Sequence, residues 1–400
     1  MSLDRRTFIV SSAGLILSTA NSQVYGKFVR NDSTNEQSAT IPFLSCIGDM
    51  HVHSQFSSGK QFGQLDADHL QAQSVQQLVD MQENGSWLMV ITDHGEKMTQ
   101  SNWKRIEYLV NHAKSGYKVP VYRGCEWTLG GAINNPTACH VTIMCTDRYV
   151  ATHAAPVDFG GDIVTSYHDL WGWLNTNLGK SGMWGFPHPW IGEYQFDDFA
   201  LASQLIVRDR CCWIEVCGGP TRRSIEDGIP FLVSAVEKGW HVGPVMGGDN
   251  FGDATYYSTP ATSVSMCERI SGTDFVLPYI LRRRLSVTDV YNPRFTWSMM
   301  KKGIPQSEVL LGGTYDARRY GFPDTVDFMI NQDYYPRLAR WEMYFVGGKH
   351  PFAQGRAPDE PPGIILKYQE KASSRPTAVI FCLILADGER ILGAPIWINY

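Results

Sequence analysis

Seven short apolar runs lie between residues 43 and 249, and each carries a histidine or a carboxylate at or near one of its ends. The runs are Phe43–His53, Trp87–His94, Pro120–Thr128, His140–Thr146, Gly182–His188, Cys212–Cys217 and Val242–Asp249. A buried ionisable group without a partner is costly. A chain that places one on strand after strand must therefore bring them together. The residues concerned are Asp49, His51 and His53, then Asp93 and His94, then Glu126, His140, His188, Glu215 and Asp249. In the first run Asp49, His51 and His53 are two apart, which puts all three on one face of an extended strand. His140 fits the pattern least well, because it begins its run rather than ending it.

Helical patterns separate the runs. Ala67–Gln82, Trp103–Ala113, Tyr167–Leu178 and Ile229–Val236 repeat apolar residues at helical spacing, and Gly85, Gly116, Gly179 and Gly239 stand beyond their ends as stop signals. Asp274–Arg284 reads as one more helix. Strands alternating with helices predict a mostly parallel sheet. Seven units predict a distorted seven-stranded β/α barrel of TIM-like type, with an open doubly wound sheet as the alternative. In such a barrel the active face lies at the C-terminal ends of the strands.

The pattern changes after about Asp289. Short runs at Val326–Ile330, Arg340–Val346, Gly363–Tyr368, Thr377–Ala386 and Pro395–Tyr400 are separated by Gly312-Gly313, Gly347-Gly348 and Asp387-Gly388. They predict a small all-β, sandwich-like module over residues 291–400, following a barrel over 43–290. At the other end, Asp4-Arg5-Arg6-Thr7-Phe8-Ile9 leads into the apolar run Ile9–Leu17. This reads as a twin-arginine export signal over residues 1–26, with a flexible polar leader over 27–42. The expected location is periplasmic or secreted. The apolar run is too short for a permanent span, and no later segment is long and apolar enough to make one. A net charge of −5 advertises no basic face, so nucleic acid is not an expected partner. The expected partner is a small-molecule substrate. The nine cysteines include no C-x-x-C and read mostly as small core residues.

Neutral imidazole is the commonest metal ligand, and a carboxylate behind it orients the ring. His51-x-His53, Thr92-Asp93-His94, Glu126 with His140, Pro187-His188-Pro189 and Gly248-Asp249 closely resemble, in order and spacing, the motifs of the polymerase-and-histidinol-phosphatase (PHP) superfamily of metal-dependent hydrolases. The resemblance covers about residues 43–253. Gly124-Cys125-Glu126-Trp127-Thr128, the stretch Gly243–Asn250 and the C-terminal β module are most similar to the carbaryl-hydrolase-like branch, which includes secreted and carbamate-hydrolysing members.

The resemblance implies the distorted seven-stranded barrel and two linked divalent metals. His51, His53, Glu126 and Asp249 would hold one, and Glu126, as a bridge, would hold the other with His140 and His188. Zn, Mn and Fe all suit this ligand set. Two such metals share a water and lower its pKa. The implied reaction is hydrolysis of a phosphoester. A carbamate, carboxylic ester or amide is the alternative substrate, and a non-catalytic ligand-binding barrel is the alternative of another class.

Many family members hold a third metal, but the corresponding positions here are Gly59 (or Ser58), His94 and Phe251. Only His94 remains. It is therefore expected, with Asp93, to act in catalysis, for example by protonating the leaving group. Asp49 is expected to orient the ligands, and Glu215 to be structural. Arg222, Arg223 and Lys97 could meet an anion. Trp127, Trp184 and Trp190 lie beside ligand positions and could line a pocket. Solvated charge and rim packing are the plainer readings of these six. His69, His112, His153, His168, His241 and His350 lie off the pattern.

Overall fold

A computed structural model of the chain describes residues 25–26, 41–42, 44–58, 87–117, 120–129, 139–154, 157–191, 196–219, 222–249, 260–266, 274–290, 293–330, 332–348, 352–356, 364–365 and 375–400. The seven expected strands form as β1 (Leu44–Val52), β2 (Trp87–Ile91), β3 (Val121–Leu129), β4 (Cys139–Met144), β5 (Met183–Phe186), β6 (Cys211–Gly218) and β7 (Gly243–Gly247). They lie side by side in chain order. All neighbours are parallel except at β4, which runs antiparallel to both β3 and β5. Residues 130–138 alone join β3 to β4. That is shorter than the dozen or more residues a parallel crossover needs.

The sheet does not close, and this corrects the expected barrel. The free edge of β1 is taken by β8 (Ala261–Met266), antiparallel, and β8 pairs on with β9 (Leu285–Thr288). The chain continues through β10 (Thr296–Lys301), β11 (Ile304–Leu310), β12 (Thr314–Asp316), β13 (Thr325–Met329), β14 (Leu338–Val346), β15 (Phe352–Arg356), β16 (Ile364–Ile365), β17 (Ala378–Leu385), β18 (Arg390–Gly393) and β19 (Ile396–Asn399). The main sheet runs β7-β6-β5-β4-β3-β2-β1-β8-β9-β18-β17-β14-β15, with β19 and β12 branching from β17, for 15 strands in all. It is an open mixed sheet with few helices, not a TIM-like β/α barrel. A closed barrel would need β7 in a ladder with β1, and β8 occupies that edge instead. β7 and the turn after it still reach β8 and β1 through isolated hydrogen bonds. The Asp249 N–H donates to the His51 carbonyl (2.9 Å), and the Met246 N–H donates to Thr262 Oγ1 (2.8 Å).

Three helices longer than ten residues occur among the described residues: α1 (Gln100–Tyr117), α2 (Tyr167–Asn177) and α3 (Ile225–Glu237). Ser166 and Ser224 cap the starts of α2 and α3 by accepting the N–H of Asp169 and Asp227. The expected helix at 67–82 lies outside the described residues. That at 274–284 shrinks to Leu277–Leu281, with Pro278 in its first turn. Strand alternation divides the sheet's two faces. Met89 and Ile91 of β2 pack with Trp103, Ile106, Leu170, Leu174 and Leu232 of the helices. Leu88 and Val90 face an inner core with Met50, Tyr122, Met183, Trp213 and Val245. Burying each such side chain stabilises the fold by about 1.5–3 kcal/mol.

The β module of the sequence reading is built into this same sheet. β9 pairs directly with β18, so the sheet runs on past residue 290. β17 is buried on both faces. Its Ile380, Cys382 and Ile384 join the helix-side core, while Val379, Phe381 and Leu383 join a second core with Trp297, Phe328 and Met343. A separate four-stranded sheet, β11-β10-β13-β16, supplies Trp297 and Phe328 to that second core. The described cysteines are all free, and all but Cys145 are buried. No described helix is long and apolar enough to cross a membrane. The expected signal and leader fall outside the described residues, except for the pairing of Tyr25–Gly26 with Ile41–Pro42.

Candidate metal centre

β1 delivers the first pair of imidazoles. His51 and His53 are fully buried. Asp49 does not orient either ring, as had been expected from its spacing. Its Oδ1 accepts the backbone N–H of His51 (2.8 Å) and of Gly248 (2.9 Å), tying β1 to the turn after β7. Burial pushes its carboxyl up to about 7, against the lowering effect of those two N–H groups.

The ring of His51 is held by Glu215 instead. His51 Nδ1 lies 2.9 Å from Glu215 Oε1, and Glu215 Oε2 accepts the His188 N–H at 2.8 Å. A carboxylate only accepts, so His51 carries a proton on Nδ1 and turns Nε2 inward. Glu215, expected to be structural, is the residue whose contact with the cluster that reading did not foresee. The available signal was a single acid inside the apolar stretch Cys211-Cys212-Trp213-Ile214-Glu215-Val216-Cys217. Gly247 makes room for it, since a Cβ there would stand 2.1 Å from the Glu215 carboxyl carbon.

Around His51 Nε2 the ligand atoms crowd together. It lies 3.2 Å from His53 Nε2, 3.5 Å from Glu126 Oε1 and 3.8 Å from Asp249 Oδ1. His53 Nε2 is 3.1 Å from Asp249 Oδ1 and 3.3 Å from Glu126 Oε2. Nitrogen and oxygen ligands sit roughly 2.0–2.2 Å from Zn²⁺, which spaces them roughly 3–3.5 Å from one another around one ion. The distances among the four groups, from β1, β3 and the turn after β7, lie at or a little above that spacing, the longest being 3.8 Å.

The reversed direction of β4 removes the difficulty with His140. His140 pairs with Thr128 in the β3–β4 ladder, so the start of β4 meets the end of β3. Its Nδ1 lies 2.6 Å from Glu126 Oε1, and His188 Nε2 lies 3.2 Å from the same oxygen. His94 Nδ1 approaches the other oxygen, Oε2, at 2.8 Å. Five imidazoles thus surround the Glu126 carboxylate. Oε2 forms no well-aligned hydrogen bond with either nearby nitrogen, and His188 Nδ1 has no hydrogen-bond partner among the described residues. This buried donor set fits metal coordination better than it fits a hydrogen-bond network. His51, His53, Glu126 and Asp249 form one group that could hold a metal ion, and Glu126, His140 and His188 form another.

The electrostatics agree. Burial opposes its ionisation, but His140, His51 and His94 hold the Glu126 carboxyl well below the usual range. Asp249 is also opposed by burial, yet His51 and the hydrogen bond from His53 bring it to about 2. Against their own burial, His51 is raised well above its ordinary value by Glu126 and Glu215, and His53 is raised to about 9 by Asp249 and Glu126. In His140 burial outweighs Glu126 and the value falls. The site attracts positive charge, as protons or as metal. His188 and Asp249 also hold φ at +27° and +45°. Such conformations cost a non-glycine residue about 1–3 kcal/mol and gather at functional sites.

The remaining expectations divide. The Asp93 carboxylate binds Ser54 and Ser57, and the Asp93 carbonyl accepts the Glu126 N–H (3.0 Å). Trp127 is buried in the helix-side core and donates its indole N–H to the Val164 carbonyl (2.9 Å). Trp184 is buried likewise and donates to the Val207 carbonyl. Trp190 is half-buried, with the Arg223 guanidinium 5.4 Å from its ring centre. Lys97 is half-buried and Arg222 exposed. Gly59 and Phe251 lie outside the described residues, as do His69 and His350, whereas His112, His153, His168 and His241 are exposed and away from the cluster. Comparison of the chain with protein-family models and with curated proteins returns no match.

Proposed function

We propose that the protein is an exported metal-dependent hydrolase whose buried histidine–carboxylate cluster binds two divalent cations. One observation carries the reading: Glu126 lies at the junction of two ligand groups, with His51, His53 and Asp249 on one side and His140 and His188 on the other. A divalent pair in that position would supply a water of lowered pKa and would offset charge developing on the substrate's oxygens. The chain's own residues hold the ligands and exclude bulk water. Glu215 fixes the His51 ring, and His94, against Glu126 Oε2, stands where a proton could be passed to a leaving group.

The reaction proposed is phosphoester hydrolysis on a small molecule. Arg223, braced over Trp190 two residues from His188, is the cation best suited to hold an anionic group at the rim. Carbamate, ester or amide hydrolysis is the second reading, favoured by Gly59 and Phe251 standing where phosphatase relatives of the proposed PHP family carry histidines. The open sheet lends no support from fold, so the proposal rests on the site and on motif order. Assay of p-nitrophenyl phosphate, a phosphodiester and a carboxylate ester with Mn²⁺ or Zn²⁺ tests it. His188→Ala should abolish turnover. Equal rates in both proteins would leave only a binding function.

A further inference from the structure

We propose that the Ser57 hydroxyl is a positioning group that selects which nitrogen of His53 faces the metal cluster and couples that choice to the placement of His94. The proposal rests on the metal-centre reading above. Ser57 lies in the short turn Gln55–Ser58 that follows β1, and it is buried. Three groups surround its Oγ: Asp93 Oδ1 at 2.7 Å, His53 Nδ1 at 2.8 Å and the His94 backbone nitrogen at 3.1 Å.

A hydroxyl offers one proton and two lone pairs. The His94 N–H can only donate, so it takes one lone pair. Asp93, as a carboxylate, can only accept. Its Oδ1 also takes the Ser54 N–H (2.7 Å) and its Oδ2 takes the Ser54 hydroxyl (2.6 Å), which fixes its orientation. The single Ser57 proton therefore goes to Asp93. The remaining lone pair faces His53 Nδ1, which must carry the ring proton. With a metal bound, Nε2 would then keep its lone pair for the position it shares with Asp249 and His51 Nε2.

Glu215 achieves the same result for His51, but by direct contact. Ser57 is a neutral relay with a second load, the backbone of His94, whose ring lies 4.4 Å from that of His53. Asp93 acts through Ser57 and not on the reaction.

Ser57→Ala removes the relay altogether. Asp93→Asn is the conservative control, since its amide oxygen can stay at the Oδ1 position and accept the Ser54 N–H and the Ser57 hydroxyl while its NH₂ turns to the Ser54 hydroxyl. Metal-free wild-type, Ser57→Ala and Asp93→Asn proteins are titrated with Zn²⁺ against a chromophoric chelator, and the tautomer of the neutral His53 ring is read by ¹⁵N NMR at alkaline pH, where the imidazole has lost its second proton. Zinc affinity should fall roughly 10–100-fold in Ser57→Ala and stay near the wild-type value in Asp93→Asn, with the neutral His53 ring protonated on Nδ1 in the wild type. Unchanged affinity in Ser57→Ala, or a neutral wild-type ring protonated on Nε2, overturns the positioning role. A wild-type protein that takes up no zinc overturns the metal reading instead, and the ring spectrum still decides the role of Ser57. Should Ser57→Ala fail to fold, the wild-type ring spectrum carries the test.

Discussion

The imidazole of His51 and the carboxylate of Glu215 meet at 2.9 Å, both fully buried, and this bond decides which His51 nitrogen faces the other ligands. The second Glu215 oxygen holds the backbone of His188, a member of the other ligand group. One side chain thus braces both halves of the centre. Glu215→Gln replaces an acceptor-only group by one that can present N–H to either partner. Metal affinity should drop about 10–100-fold while circular dichroism stays unchanged, and titration with Zn²⁺ or Mn²⁺ checks it.

Gly247 leaves the space that Glu215 occupies. Gly247→Ala should push the carboxylate off His51 and so reproduce the Glu215→Gln phenotype without touching a polar group. Equal metal affinity in Gly247→Ala and wild type would show that the close approach can relax at no cost to the centre.

The metal-free protein should have a pH profile that metal reverses. His53 is raised from 6.5 to about 9, so its contribution to stability is complete below 6.5 and is lost as pH rises through about 9. Asp249 is lowered from 3.8 to about 2, so its contribution is present above 3.8 and is lost as pH falls toward 2. Asp49, raised from 3.8 to about 7 by burial, adds a loss of stability between those values as pH rises. The melting temperature without metal should therefore fall between neutral pH and about pH 9. Metal binding displaces the imidazole protons, so added Zn²⁺ should raise the melting temperature most at the alkaline end. Thermal scans across pH, with and without metal, provide the check.

β17 stands between two cores, and its alternate residues should report on both. Ile380→Ala removes a side chain from the helix-side core and Phe381→Ala one from the second core. Each should cost about 2–5 kcal/mol. Because one strand joins the cores, tryptophan fluorescence and circular dichroism should follow a single shared transition in denaturant. Two separated transitions would mean that the cores unfold independently.

Much of the centre was legible in the sequence because a strand has a fixed period. Spacing by two put His51 and His53 together, and His188 and Asp249 were marked by ending apolar runs beside proline or glycine. The six expected ligands do converge. The register of β4 was less accessible, since strand direction is set by the length of the preceding connection and not by the strand's own residues. The open sheet was illegible for a related reason. Whether β1 pairs with β7 or with β8 depends on competition for one edge between segments far from it in the chain, Gly243–Gly247 and Ala261–Met266. Asp49 and Glu215 exchanged roles because spacing along one strand says nothing of what reaches a ring from across the sheet. The two faces of β17 left no amphipathic alternation to read, because both are apolar.

The most direct test of the central claim is elemental analysis of the purified protein after reconstitution with Zn²⁺ or Mn²⁺, beside Glu126→Gln. Two ligand groups that share Glu126 should bind two ions tightly per chain in the wild type and lose both in the variant. No tightly bound metal in the wild type, three ions per chain, or equal loading of Glu126→Gln would contradict the account.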